Sequence, residues 1–334
     1  MKHELDSPGL WTLAWRRLRA DRIAMAALAV VGAFILLLLL SSSGLVASDW
    51  EEEVAVNYAP PSFVGPDAAS AALARLPSPA PPNAFDPLAQ ELDSLKAKVQ
   101  ATHPPRVKAL TLPFGADKWG HDILKKTIKG GETSIVVGLV AAFVAVALGT
   151  LFGALSGFFG GVVDDLFNWF YSIFTSIPSI LMILTVAAVL QQKGVATIVL
   201  ILGLTGWTGP YRLIRAEYIK HKAREYVMAA DAIGATSWRK MFSHIFPNVS
   251  HVALVQLSIL VVGFIKAEVI LSFLGFGVPV GTVSWGSMLN EAQNELILGK
   301  WWQLAAAAGA MALLVTAFSL FTDALRDALD PKIK

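Results

Sequence analysis

The strongest constraint on this chain is the absence of charge from six long stretches. They are Ile23–Leu40, Thr133–Gly160, Leu166–Leu190, Gly194–Tyr211, Val249–Ile265 and Trp301–Thr322. Each is about 17 residues or longer, enough at ~1.5 Å rise per residue to cross a hydrocarbon core ~30 Å thick. Backbone N–H and C=O groups find no water there, so a spanning segment must satisfy them within itself, and helices result. Only 16% of the 334 residues are charged, against about a quarter in soluble chains. The expected fold class is all-α integral membrane, with about six transmembrane helices.

Basic residues set the orientation. Lys2, Arg16, Arg17, Arg19 and Arg22 precede the first apolar run, and Arg212, Arg215, Lys220, Lys222, Arg224, Arg239 and Lys240 fill the polar segment Tyr211–Asn248. Both regions are expected on the cytoplasmic side, and six spans then place the N- and C-termini there together. The run Ile23–Leu40 is longer than the apolar part of a signal peptide, so an uncleaved first span is expected.

The layout follows. Residues 1–22 form a cytoplasmic segment, 23–43 the first span, and 44–132 an extracytoplasmic insertion with an interfacial helix. The core domain is 133–334, with further spans at about 133–160, 166–190, 194–211, 249–270 and 301–322 and a cytoplasmic loop at 212–248. The insertion is rich in proline (Pro60, Pro61, Pro66, Pro77, Pro79, Pro81, Pro82, Pro87). It therefore reads as extended or loosely folded, with one short helix over Glu91–Gln100. Residues 266–300 lack charge over Val269–Asn290 but are interrupted by Gly275, Gly277, Pro279, Gly281 and Gly286. A re-entrant or surface-lying segment is expected there rather than a seventh span.

Several function classes fall away. The chain has no cysteine, which removes disulfides, thiolate catalysis and cysteine-ligated metals. No metal site is expected. A net charge of +2 gives no footprint for nucleic acid. Phosphate-loop, zinc-protease and serine-hydrolase signatures are missing, so the chain itself is expected neither to hydrolyse ATP nor to act as an enzyme.

Other features suit a moving membrane protein. Gly149, Gly153 and Gly157 recur every four residues, a bare stripe against which another helix can pack closely; generic tight packing is an equally open reading. Gly153→Leu should then harm packing more than removing a lipid-facing leucine side chain. Pro178 should bend the third span and, with Glu268, is a candidate pathway or gate residue. Lys266 and Glu268, two apart, should face different ways, with Lys266 reaching for the interface. No carboxylate or histidine is expected at mid-depth, which disfavours ion-coupled transport.

The polar loop should contain two short helices. One runs over Arg224–Ile233 and ends at a left-handed Gly234; a second, capped by Thr236 or Ser237, is stopped by Pro247. Ala229 and Ala230 would leave a low surface between Tyr226, Trp238 and a basic rim, suited to a protein groove or to anionic lipid.

This loop resembles the EAA loop of permeases from binding-protein-dependent ABC importers. Ala229, Ala230, Gly234 and Pro247 stand at the matching spacing, with Met228 at the usual Glu, His244 at the Ile and Phe246 at the Leu. Residues Gly115–Asp122, Leu271–Gly277, Ser284–Leu289 and Leu325–Pro331 are similar to the dipeptide/oligopeptide/nickel class, its second-permease, C-type subunit. The stretch at about 50–105 finds no counterpart in that resemblance.

The resemblance implies a type I ABC importer permease fold in the bacterial cytoplasmic (inner) membrane. It further implies a heterodimer with a homologous permease chain, two ATPase subunits that hold ATP and Mg, and an extracytoplasmic substrate-binding protein, with no cofactor on this chain. ATPase-coupling contacts would fall at Ala229, Ala230 and Gly234, and also at Tyr226, Asp231 and Trp238. The implied function is half of an ATP-driven pathway for peptides or a similar solute; an ATP-independent transporter or channel and a membrane scaffold are the alternatives.

Overall fold

A computed structural model describes residues 10–66, 91–92, 94–95, 108–279 and 281–329. The described residues form α1 (Leu10–Ala20), α2 (Arg22–Ser42), α3 (Ile123–Phe159), α4 (Gly161–Thr175), α5 (Ser179–Leu190), α6 (Val195–Thr205) and α7 (Thr208–Lys222). After these come α8 (Glu225–Ala232), α9 (Ser237–Arg239), a π turn at Lys240–Ile245, α10 (Phe246–Phe273), α11 (Trp285–Ile297) and α12 (Trp302–Leu329).

Among the described residues, four helical runs are each long and apolar enough to cross a membrane: α2, α3, Ser237–Phe273 and α12. The pair α4 and α5 meets the same test only when taken together. Helices α4 and α5 meet at 85°, with Pro178 capping α5, so the proline interrupts the span rather than curving it. The expected span at 194–211 is split as well, at Gly206–Trp207. A Cβ on Gly206 would lie 2.3 Å from Phe264 Cζ. Trp207 is 2% exposed and sits among Phe152, Phe170, Phe174 and Tyr211. The break falls where Gly206, Gly209 and Pro210 punctuate the charge-free run.

Helix α3 starts ten residues earlier than expected. Asp122 caps it by accepting from the N–H groups of Leu124 and Lys125, and a polar first turn continues into the apolar run. Its early part packs on α11: Trp285 Nε1 donates to the Thr127 carbonyl at 3.0 Å, and a Cβ on Gly131 would lie 2.8 Å from the same indole.

The insertion is better ordered at its ends than expected. Bridges Ala55–Ala109, Pro61–Leu112 and Ala116–Asp122 close a small module around Ala55, Val56, Ala59 and Ala116. The expected helix at Glu91–Gln100 falls mostly outside the described residues. Residues 266–300 avoid a seventh crossing: α10 ends at Phe273, and the short α11 lies against α3, α10 and α12.

The Gly149–Gly153–Gly157 stripe of α3 faces α7. Added Cβ atoms would lie 2.5 Å from the Trp207 carbonyl oxygen, 2.7 Å from that of Tyr211 and 2.6 Å from that of Arg215. A second buried layer (Ala154, Phe158, Ile214, Tyr218, Met241, Ile245) carries this contact into the polar loop. At the same end, α1 packs on the end of α12 through Ala14, Leu18, Ala328 and Leu329, so α1, the end of α12 and the basic loop share one end of the bundle.

Gly153→Leu should lower the melting temperature in detergent by several degrees. Overpacking costs about 1–3 kcal/mol, and about 2–4 °C accompanies each kcal/mol in a chain of this size. Leu151→Ala, at an exposed position of the same helix, should change it far less. Equal effects would show that α3 and α7 do not depend on the bare stripe.

Candidate functional site

The loop at the basic end is a rigid double turn. Helix α8 ends in a Schellman arrangement: the Ala235 N–H donates to the Ala230 carbonyl at 3.0 Å and the Gly234 N–H to that of Asp231 at 2.9 Å. Gly234 has φ +82°, a left-handed conformation that costs a side-chain-bearing residue about 1–2 kcal/mol. Thr236 then caps α9, its Oγ1 accepting from the Arg239 N–H.

Pro247 does not stop the second helix, contrary to the pattern reading. The chain passes through the π turn, where the Phe246 N–H reaches back five residues to Met241 O, and continues as α10. A proline ring ordinarily collides with the carbonyl four residues back; the wider π turn relieves that crowding, and the missing N–H falls at the change of register.

The expected contact residues separate. Ala229, Asp231, Gly234, Tyr226 and Trp238 are exposed. Ala230 is 4% exposed: it faces inward and offers the outer surface nothing but its backbone geometry. Asp231 pairs with Lys240, which staples α8 to the π turn. Tyr226 Oη and His221 Nδ1 are 2.8 Å apart. Trp238 and Phe242 stack with ring planes 5° apart and centroids at 5.6 Å.

Pattern reading missed the most prominent residue of this surface. Ile233 is 85% exposed, held outward beside the left-handed Gly234. An isoleucine at the last position before a helix-ending glycine, outside the buried stripe, was the available signal. Met228, Trp238 and Phe242 are exposed on the same loop, which also carries Lys222, Arg224 and Arg239.

The two candidate pathway residues are not together. Pro178 is exposed at the α4–α5 break. Glu268 is fully buried between α10 and its neighbours, accepting from Ser272 Oγ at 2.6 Å. Lys266 is exposed, so the pair does face different ways.

A charged cluster at the opposite end also escaped notice, because its members lie far apart in sequence. Buried Lys126 donates to Asp117 at 2.7 Å and to Glu291 at 2.6 Å. Burial pushes the Asp117 carboxyl up, but Lys126 and the His121 N–H outweigh it and leave Asp117 below the usual carboxylate range. Glu295 is 1% exposed and neither carboxylate oxygen has a hydrogen-bond partner. Burial pushes it up to about 7, against the opposing pull of Lys126. Among the described residues, no His/Cys/Asp/Glu group is arranged to hold a metal ion.

Residues 149–334 match the family of binding-protein-dependent transport system inner membrane components. The chain belongs to this family. It is a permease subunit of an ABC importer, a multi-pass inner membrane protein; ATP hydrolysis belongs to a separate subunit.

Residues 9–61 match the N-terminal transmembrane domain of oligopeptide transport permease C, which supports the C-type subunit. The chain is 37% identical over 221 residues to the oligopeptide transport system permease protein OppC of Bacillus subtilis, covering 66% of this chain and 72% of that one. It is 29% identical over 325 residues to the dipeptide transport system permease protein DppC of Lactococcus lactis, covering 96% and 90%.

Glu295 predicts a pH dependence. Its folded pKa stands above the ordinary carboxylate value of about 4.3, so its contribution to stability is full below that value and lost as pH rises through about 7. Asp117, shifted the other way, loses its contribution only in acid. The melting temperature of the permease should therefore fall between pH 5.5 and 8, and Glu295→Gln should flatten that slope. An unchanged slope in the variant would exclude Glu295 as the source.

Proposed function

We propose that this permease forms half of a peptide pathway, beside a homologous permease chain, and that its basic loop seats in a cleft of an ATPase subunit. Two such ATPases hold ATP and Mg, and an extracytoplasmic binding protein delivers the solute. The observation that carries this reading is the hydrogen-bonded turn at Gly234, which holds Ile233 85% exposed on a loop rich in Lys and Arg. Exposed apolar side chains on such a fixed loop suit a protein groove, where a few well-fixed apolar anchors supply most of the binding energy.

Charge supports a cytoplasmic location for this end and hence for both termini. A peptide solute is supported by the matched permease C domain and by the relatives named for oligopeptide and dipeptide transport. The α4–α5 pair, broken at Pro178 and largely uncovered by the rest of the chain, is the part best placed to line a pathway shared with the second permease. Glu268 would act there indirectly, by holding the shape of α10. Ala229, Gly234, Tyr226 and Trp238 would touch the ATPase, while Ala230 and Asp231 hold the loop that does so.

Gly234→Val is the direct test. Nothing lies within 4 Å of a Cβ there, so the valine fits in space, and the harm comes from the backbone. The variant should insert and be recovered at normal levels. ATP-dependent uptake of labelled trialanine into vesicles containing the complex should nevertheless fall by about ten-fold or more, as a strained cap shifts Ile233. Normal uptake with normal ATPase recovery would remove the loop from the coupling role.

A further inference from the structure

Helix α4 is attached to the rest of the permease in an unusual way. It buries none of its residues and lies between two backbone joints. At one end Gly160 and Gly161 both adopt left-handed φ, +68° and +53°, with open space around them. At the other, the chain turns 85° into α5 near Pro178. Side-chain crowding at the glycine joint therefore does little to fix the direction of α4.

Its lateral contacts are with α3 and the beginning of α7. Phe167 stacks on Phe152, Phe170 on Trp207, and Tyr171 tilts against Tyr211. Such faces supply area but tolerate sliding and rotation. One contact is directional. Arg215 Nε and Nη2 of α7 each donate to a different oxygen of Asp164, both at 2.6 Å, an arrangement that fixes orientation as well as distance. Ser156 of α3 donates to Asp164 too, and Ser156 Oγ lies 3.0 Å from Tyr211 Oη. The carboxylate is thus tied to both helices of the glycine-faced pair.

Helix α7 leads toward the loop without a loose joint. Two residues separate it from α8, and Tyr218 Oη donates to the Met241 carbonyl in the π turn at 3.2 Å. We propose that Asp164 and Arg215 are positioning residues for coupling: their pair fixes α4 to α7, so that displacement of the exposed loop carries α4 with it as one body. The inference rests on the reading that this loop engages an ATPase. The pair stays closed through the cycle; it is a fixed link and not a latch.

The chain has no cysteine, so Leu166→Cys on α4 and Ile219→Cys on α7, both exposed, would accept two spin labels in the assembled complex. Pulsed EPR should give one narrow distance, the same within about 2 Å without nucleotide and after trapping with ATP and vanadate, as for elements of one rigid body. Adding Arg215→Lys, which keeps the charge but not the fork, or Asp164→Asn should broaden that distance. Trialanine uptake per ATP hydrolysed should fall about ten-fold while binding-protein-stimulated hydrolysis continues, the split expected when transmission rather than docking is lost. A shift of more than about 5 Å on trapping with the pair intact would show that the link opens. A narrow distance and unchanged uptake per ATP in both variants would show that the aromatic contacts suffice. Either result overturns the inference. Absence of ATP-dependent trialanine uptake in the unaltered complex would instead unseat the peptide reading of the pathway, and the EPR distances would still decide whether the pair fixes α4.

Discussion

The close approach of α3 to α7 is the contact on which the other features depend. Lipid tails are as apolar as leucine, so helices in a bilayer gain little from hiding apolar surface against one another; they gain from packing that lipid cannot match. Three glycines one turn apart let the α7 backbone come nearer than any side chain would allow, with imagined Cβ atoms 2.5–2.7 Å from its carbonyl oxygens. Three features are then fixed by reference to α7: the aromatic nest at its start, the Arg215–Asp164 pair at its middle and Tyr218 beneath the loop.

The polar groups of the bundle are placed at its two ends, and for different purposes. At the basic end, pairs such as Asp231–Lys240 and Asp164–Arg215 are partly exposed, so their value lies in geometry more than in raw stabilisation. At the opposite end Lys126 is enclosed by Asp117, Glu291 and Gln303. It joins the small module of the insertion to α3, α11 and α12. Removing one partner of such an enclosed set leaves a charge without compensation, which makes the junction intolerant of change. Glu295, beside this set but without a hydrogen bond of its own, is the one member whose charge the site does not provide for.

How much of this was legible in the sequence depends on the length scale. Charge-free runs gave the helical membrane class, because the bilayer penalises unsatisfied backbone regardless of detail. Gly234 announced its own left-handed turn, since no other residue takes that conformation without cost. The break at Gly206–Trp207 was passed over because the run carries no charge, although Gly206, Gly209 and Pro210 punctuate it; the tertiary nest of Trp207 marks where it falls. Lys126, Asp117, Glu291 and Glu295 were hidden, because their meeting depends on elements over 160 residues apart. Ala230 is intermediate. Its small size was read as a contact surface, whereas in the fold that smallness lets α8 sit close to the layer beneath it.

Pro247 shows how one misread residue alters the mechanical picture. Had it ended a helix, the loop would hang from α10 by a flexible joint, and a push on the loop would be spent in bending. Instead the π turn absorbs the steric demand of the ring, and the run Ser237–Phe273 is continuous. A π turn is a locally widened helix and not a gap, so it transmits force while leaving the helix able to change register at one point. The loop is therefore held on both sides, by α7 before it and by α10 after it. Both helices also pack on α3: α7 on its glycine face, and α10 at Gly138, where an added Cβ would lie 2.4 Å from Ile265. A displacement delivered at Ile233 accordingly enters the bundle along two stiff paths, and both of them end on α3.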